Sequence, residues 1–244
     1  MRPEIFGLIG RKLDHSFSSS YFAKKFEELQ LNHKYLNFEM ESINELPDLI
    51  STNKFSGLNV TVPYKESVLS FLDELDPIAE EIGAVNTIEF KEEKLIGHNT
   101  DAFGFRQSIK PFLKSNHERA LILGSGGASK AVHYVLKEIG VECYTVSRSP
   151  EGDQLHYQDL NQEVITTCQL IVNATPVGMY PFPDNQPDIP YRYITDQHLL
   201  IDLIYNPEQT GFMKNGRSNG ATVLNGLTML KQQAEKSWSI WNDQ

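Results

Sequence analysis

The chain has 244 residues, enough for one large domain or two smaller ones with cores of their own. Its net charge is −10 with no block of Lys and Arg, which argues against a nucleic-acid partner or an anionic membrane surface. Hydrophobic residues make up 40% and charged residues 22%, and no apolar run approaches the roughly 18 residues of a membrane span, so the expectation is a soluble globular protein.

Residues 1–10 carry Arg2 and Glu4 and read as the entrance to a strand rather than a signal peptide. Residues 5–9 are that strand, closed by Gly10. Residues 16–20 are a serine-rich helix start, with Tyr21, Phe22, Phe26 and Leu29 following at helical spacing. Residues 35–40 read as a second strand. Residues 43–50 read as a weaker helix, interrupted near its start by Pro47. A third strand spans 58–62 and stops at Pro63; Val68, Leu69, Leu72 and Leu75 then form a helical stripe. Residues 85–90 and 95–97 flank the charged turn Lys91-Glu92-Glu93-Lys94 and read as a hairpin. Together these elements predict an α/β unit with a mixed sheet.

A second unit begins near Ala102, with a linking helix over 105–113. Residues 120–123 are a buried-type strand that runs into Gly124-Ser125-Gly126-Gly127-Ala128-Ser129. Ala128, Ala131, Val132, Val135, Leu136 and Ile139 then recur at helical spacing up to the stop at Gly140. The next strand covers 141–147. Strand, glycine-rich turn, helix and strand within about 30 residues form a βαβ dinucleotide-binding unit. Residues 170–174 and 199–204 are two further strands, and 226–241 is a closing helix with Leu227, Leu230, Ala234, Trp238 and Trp241 on one face. Cys143 and Cys168, the only cysteines, have no metal-like spacing and predict buried thiols in a reducing cytosol. With no His/Cys cluster, no metal is expected.

Four clusters carry polar groups that suit chemistry. The glycine turn lets a pyrophosphate approach backbone N–H groups at a helix N-terminus, which side chains would block. The strand after it ends in Ser147-Arg148-Ser149. NAD sites place an acid there for the ribose hydroxyls; an arginine favours the 2′-phosphate of NADP. Asn59, Thr61 and Lys65 follow one another at a strand end, where Lys65 is either an exposed lysine or a donor to a developing alkoxide. Asn86 lies amid apolar neighbours, and Asp101 opens the next helix as a cap, a functional acid, or both. Ser16 and Ser18 suit a helix cap and equally a carboxylate ligand at a helix start; His15 beside them reads as structural.

In order along the chain, these clusters resemble the shikimate dehydrogenase family. The resemblance is carried by His15-Ser16-Phe17-Ser18, Asn59-Val60-Thr61-Val62-Pro63-Tyr64-Lys65, Gly83-Ala84-Val85-Asn86-Thr87, Asn99-Thr100-Asp101 and the glycine turn. Further on it continues through Asn173-Ala174-Thr175-Pro176-Val177-Gly178-Met179, Asp202-Leu203-Ile204-Tyr205-Asn206-Pro207, and Asn225-Gly226-Leu227-Thr228-Met229-Leu230 with Gln233. It implies an α/β protein with an N-terminal mixed-sheet substrate domain, a Rossmann-like NADP-binding domain, and a C-terminal helix returning to the first domain. The expected boundaries are 1–101 completed by 226–244, and 102–225. The implied activity is NADP-dependent reversible reduction of 3-dehydroshikimate to shikimate, on the route to chorismate and the aromatic amino acids, in the cytoplasm, by a monomer or homodimer.

The resemblance also implies roles. Lys65 and Asp101 are the catalytic pair. Ser16, Ser18 and Tyr205 hold the substrate carboxylate, Thr61, Asn86 and Gln233 its ring hydroxyls, and Asn59 is a further substrate-binding residue. Cofactor contacts fall to Gly124, Ser125, Gly126, Gly127, Ala128, Ser147, Arg148, Ser149, Thr175, Leu203 and Gly226. The sequence departs from the family pattern at Ser19, where Pro is usual, at Ala102, where Gly is usual, and at Arg11-Lys12, often Asn-Pro. Ser129 replaces the usual Gly or Ala of the glycine turn. Three other readings compete: a quinate/shikimate dehydrogenase of looser choice, a non-catalytic ligand-binding module, and another two-domain Rossmann enzyme such as a methylene-folate dehydrogenase. Retention of both Lys65 and Asp101 speaks against the second, and the serine pair with Gln233 against the third.

Overall fold

A computed structural model describes residues 3–13 and 16–242. His15 lies outside the described residues. The backbone contacts divide the chain into two units, 1–103 with 233–244, and 104–232.

The first unit is a six-stranded mixed sheet, in the order β2-β1-β3-β5-β6-β4. Strand β1 (Ile5–Gly10) is buried along most of its length and pairs in parallel with β2 (Lys34–Glu39) and β3 (Gly57–Val60). Helix α1 (Phe17–Glu28) connects β1 to β2, and α2 (Leu46–Thr52) lies between β2 and β3. Pro47 falls in the first turn of α2 and does not interrupt it, because the N–H it lacks would have had no partner there. The stripe 68–75 is not one helix. A 3-10 turn over Ser67–Phe71 gives way to the two-residue strand β4 (Glu74–Leu75). The chain is pulled straight because the N–H groups of Asp73 and Asp76 bond to Leu95 O and Gly97 O. A short helix that the apolar pattern did not reveal, α3 (Pro77–Ile82), follows.

Strands β5 (Thr87–Lys91) and β6 (Lys94–His98) form the expected antiparallel hairpin. Its turn residues Glu92 and Glu93 both have positive φ, 49° and 65°, as a two-residue turn matched to strand twist requires. Helix α4 (Thr100–Ile109) starts earlier than the 105–113 expected from the apolar spacing.

The second unit is a six-stranded parallel sheet, in the order β12-β11-β10-β7-β8-β9. Its members are β7 (Arg119–Leu123), β8 (Glu142–Ser147), β9 (Leu155–His156), β10 (Leu170–Asn173), β11 (Leu199–Asp202) and β12 (Thr222–Leu224). Strands β10 and β11 are buried at every residue, as strands covered on both faces must be. The connecting helices are α5 (Gly127–Glu138), α6 (Gln162–Thr167) and α7 (Gly211–Ser218). Strand order reverses between β7 and β10, the position at which doubly wound sheets open a crevice.

Helix α8 (Leu227–Asn242) begins in the second unit and ends in the first. There, Trp241 packs 5.0 Å from the Phe6 ring and donates from Nε1 to Ile88 O at 3.1 Å. Its indole lies so close over Gly57 that a Cβ there would sit 2.3 Å from Nε1. Lys25 reaches the Glu235 carboxylate at 2.7 Å, and Tyr21 donates to the same group. Among the described residues no helix is long and apolar enough to cross a membrane.

His98 ends β6 between two carboxylates. Its Nδ1 lies 3.0 Å from Asp76 Oδ2 and its Nε2 2.9 Å from Glu89 Oε2. Burial opposes charging the ring, but the hydrogen bonds to Asp76 and Glu89 outweigh it and raise the pKa above its ordinary value of about 6.5. A raised imidazolium pKa contributes stability fully below about pH 6.5, and that contribution disappears as pH rises through the folded-state value. His98→Gln should therefore lower the melting temperature below pH 6.5, with the gap to wild type narrowing as pH is raised. Thermal unfolding of both proteins across pH checks this; a gap that does not change with pH would show that His98 is neutral in the fold.

Candidate active site

In the first unit, the end of β3 runs on to Lys65, and the end of β6 leads into α4 and Asp101. Lys65 Nζ donates to Asp101 Oδ2 at 2.5 Å, with the two side chains 13% and 6% exposed. The other carboxylate oxygen accepts from Asn86 Nδ2 at 2.9 Å. Asp101 is not the cap of α4. That task falls to Asn99, whose Oδ1 accepts the Ala102 N–H at 3.2 Å. The Asp101 carboxylate is therefore left to face lysine and amide.

Asn86 is itself held tightly. Its Oδ1 accepts the Thr100 N–H at 2.7 Å, and its Nδ2 also meets Thr100 Oγ1 at 3.0 Å and Gln233 Oε1 at 3.3 Å. Behind it, Thr87, Thr100 and Ser237 place three buried hydroxyls 2.8 to 3.3 Å apart. Asn59 is consumed by the protein. Its Oδ1 accepts from Tyr35 at 2.8 Å and its Nδ2 faces Asn86 O, Thr87 and Ser237 at 3.0 to 3.1 Å. Gln233 presents Oε1 to this cluster, and its Nε2 has no hydrogen-bond partner among the described residues. Thr61 follows β3 with its methyl beside Gly10.

Ser16 caps α1, accepting the Ser19 N–H at 3.2 Å. Ser18, two residues on, is buried and hydrogen-bonds Tyr35, whose ring stacks on Phe22 at 4.6 Å. The cap reading of Ser16 is thus correct as geometry, and its oxygen keeps a second lone pair.

In the second unit, the glycine turn fits a pyrophosphate. Gly124 has φ 107°, and a Cβ there would lie 3.0 Å from Thr175 Cγ2 and 3.2 Å from Ala174 O. Gly126 precedes α5 with no side-chain cap, and a Cβ there would meet nothing within 4 Å. The N–H groups of Gly127 and Ala128 open the helix beyond the exposed Ser125. These N–H groups are the donors that an anion at a helix start uses. Ser129 ties the turn from beneath, donating to Gly124 O at 2.5 Å. At the end of β8, Ser147 Oγ accepts the Ser149 N–H at 3.2 Å, and Arg148 is exposed with no ion pair among the described residues.

Thr175 is held by Asn173, whose Oδ1 accepts both its N–H at 3.1 Å and its hydroxyl at 2.6 Å. Leu203 donates its N–H to Asn173 O at 3.0 Å. Gly226 gives its N–H to Ile204 O, and a Cβ there would lie 2.0 Å from Leu203 O. Tyr205 is half-buried, and burial raises its pKa. Tyr205 and the cofactor-loop residues belong to the second unit; Lys65, Asp101 and the other substrate residues belong to the first.

Sequence reading missed Tyr35, Thr87, Thr100 and Ser237 as members of the polar cluster. Ser237 had a signal, since it lies four residues beyond Gln233 and so on the same helix face. No group of three or more His, Cys, Asp or Glu among the described residues is placed to hold a metal ion.

Comparison with known proteins identifies the family. A family model described as the shikimate dehydrogenase substrate binding domain matches residues 8–88. The chain is 36% identical to a shikimate dehydrogenase (NADP(+)) of Desulforamulus reducens, over 98% of this chain and 90% of the relative. A crystal structure of shikimate dehydrogenase 1 from Peptoclostridium difficile is 40% identical, with TM-score 0.85 over 98% of this chain and 92% of that one. The Thermus thermophilus shikimate 5-dehydrogenase in complex with NADP(H) and shikimate is 32% identical, with TM-score 0.88 over 99% of this chain and 94% of that one.

The close approach at Gly226 makes a sharp prediction. Gly226→Ala should unfold or displace the 203–226 contact, because backbone rather than a movable side chain opposes the methyl. The expected outcome is loss of folded protein or a melting temperature several degrees lower, on the scale of about 1–3 kcal/mol for overpacking. An unchanged melting temperature would show that the two strands of backbone can separate freely.

Proposed function

The chain belongs to the shikimate dehydrogenase family and is an NADP-dependent oxidoreductase that interconverts 3-dehydroshikimate and shikimate, and we propose that Lys65 and Asp101 are its catalytic pair. The observation that carries the assignment of roles is the 2.5 Å ion pair of Lys65 with an Asp101 that is relieved of capping. When bound, the reduced cofactor NADPH would supply the hydride for reduction, and NADP+ would accept it in the reverse direction. The substrate carbonyl oxygen gains negative charge as the hydride arrives and needs a proton or a positive partner. Lys65 offers both, with two ammonium hydrogens left after its bond to Asp101. Asp101 orients the ammonium and accepts from a ring hydroxyl, while Asn86 fixes the far side of that carboxylate.

Gln233, with its Nε2 unclaimed, and Thr61 bind ring hydroxyls. Asn59 and Asn86 act mainly through the protein groups they hold. Ser16, Ser18 and the N–H groups at the start of α1 take the substrate carboxylate, together with Tyr205. The second unit is the cofactor domain. Gly124 to Ala128 receive the pyrophosphate, Ser147, Arg148 and Ser149 the ribose phosphate, and Thr175, Leu203 and Gly226 the remaining cofactor surface. Arg148 prefers the 2′-phosphate through charge-assisted hydrogen bonds, with no acid at the end of β8 itself to repel it. By function, residues 1–101 with 226–244 are assigned to substrate and 102–225 to cofactor, with Gly226 at the changeover; the contact division falls at 103 and 233 instead. A cytoplasmic monomer or homodimer completes the reading; Cys168 is buried as expected, whereas Cys143 is only half-buried, and burial pushes the Cys143 and Cys168 thiols up to about 12 and about 11, in keeping with unreactive reduced cysteines.

Two measurements test the roles. Nicotinamide absorbance on mixing protein, shikimate and NADP should report turnover, and Lys65→Ala should lower it by about a hundredfold or more with the melting temperature nearly kept. Near wild-type turnover with weakened shikimate binding would make Lys65 a binding residue only. Arg148→Ala should weaken NADP by roughly ten- to hundredfold and change NAD far less. Equal losses in kcat/KM for both cofactors would remove Arg148 from the phosphate site.

A further inference from the structure

Asp202 closes β11 at the carboxyl edge of the second sheet and has no solvent exposure. Burial pushes its acid up to about 6, against the pull of its hydrogen bonds. A carboxylate so placed is costly unless donors meet its oxygens. Three do. Oδ1 accepts from Asn173 Nδ2 at 3.0 Å and from the Ile204 N–H at 3.1 Å; Oδ2 accepts the Thr210 hydroxyl at 2.5 Å. These donors stand on three separate pieces of chain: the end of β10, the turn after β11, and the cap of α7.

Two of those pieces lead directly to cofactor residues. Asn173, oriented by Asp202 through its Nδ2, has its Oδ1 turned to the N–H and hydroxyl of Thr175. Thr175 in turn packs on Gly124, the first glycine of the turn. Ile204, held by its N–H, receives Gly226 at its carbonyl and is followed by Tyr205. The mechanism uses Asp202 for nothing, yet it joins these loops.

We propose that Asp202 is a positioning residue for cofactor binding: it locks the 173–177 and 203–205 loops to each other and, through Asn173 and Thr175, holds the glycine turn in its receptive shape. The inference rests on the reading of this unit as the NADP domain. An Asn at position 202 preserves the arrangement. Its Oδ1 still accepts from Asn173 and Ile204, and its Nδ2 meets Thr210, whose hydroxyl can turn to accept. An Ala leaves all three donors unmet.

NADP dissociation constants by titration calorimetry on the full chain, with melting temperatures alongside, test the idea. Asp202→Ala should weaken NADP about tenfold, the scale of one lost hydrogen bond to a charged group, and Asp202→Asn should stay within about threefold of wild type. If Asp202→Ala does not fold, Asn173→Ala replaces it, since it cuts the relay to Thr175 and leaves Asp202 bonded to Ile204 and Thr210; the same tenfold loss is expected. A wild type that binds no NADP overturns the cofactor reading and this inference with it. A wild type that binds, with the Ala variant within twofold of it, overturns this inference alone. So does an Asn variant as weak as the Ala variant, because an acceptor at that position would not be what matters.

Discussion

The Thr100 N–H donates to Asn86 Oδ1 at 2.7 Å, and the arrangement of the first unit's polar groups follows from that bond. With its oxygen fixed, the Asn86 amide can only turn its hydrogens toward Asp101, Thr100 and Gln233. One Asp101 oxygen is then occupied, and the other is left for Lys65. A buried amide that could flip would leave the carboxylate partly unmet in a poorly solvated site, which is costly. Here the backbone of a helix start removes the choice. The hydroxyls of Thr87, Thr100 and Ser237 complete the cluster, and because hydroxyls rotate, they absorb whatever donor or acceptor each amide requires.

The second unit solves a similar problem with a charge. Its loops pass close to one another, and they carry glycines with few side chains of their own to hold them. Gly124 and Gly226 permit the close approach, and both are pinned from outside: Thr175 packs against one, and the Leu203 carbonyl closes over the other. Asn173 and Asp202 stand behind that packing, fully buried. The acid buried there has its oxygens occupied by Asn173, Ile204 and Thr210.

Much of this was legible in the sequence, for reasons that are local. The strand, glycine turn, helix and strand of 119–147 reveal themselves because each feature acts within a few residues. The hairpin of β5 and β6 does so through its charged turn. The 68–75 stripe misled because its apolar spacing is helical, whereas the edge of β6 takes its backbone N–H groups. Helices α3, α6 and α7 run for only 6 to 8 residues, too short for a periodic signal to build. Lys65 and Asp101 were found through a resemblance, and their pairing is not local: 36 residues separate them. The polar cluster was illegible for the same reason, since Tyr35, Asn59, Thr87 and Ser237 meet only after the sheet and α8 have assembled. Asp101 reads as a cap from its place at a helix start, and only the structure gives that task to Asn99, two residues earlier.

The first unit is interrupted, with residues 104–232 inserted between its main body and the part of α8 that finishes it. The order of synthesis and the order of completion therefore differ. A ribosome delivers the whole sheet β1 to β6 long before it delivers Gln233, Ser237 and Trp241. During that interval Gly57 lacks its indole cover, and Asn59 and Thr87 lack the serine that hydrogen-bonds to both. The inserted unit is continuous and can close its parallel sheet in the meantime. The half made first is thus finished last, and while it waits, the nascent chain exposes the apolar surface around Phe6 and Phe22 that Trp241 later covers.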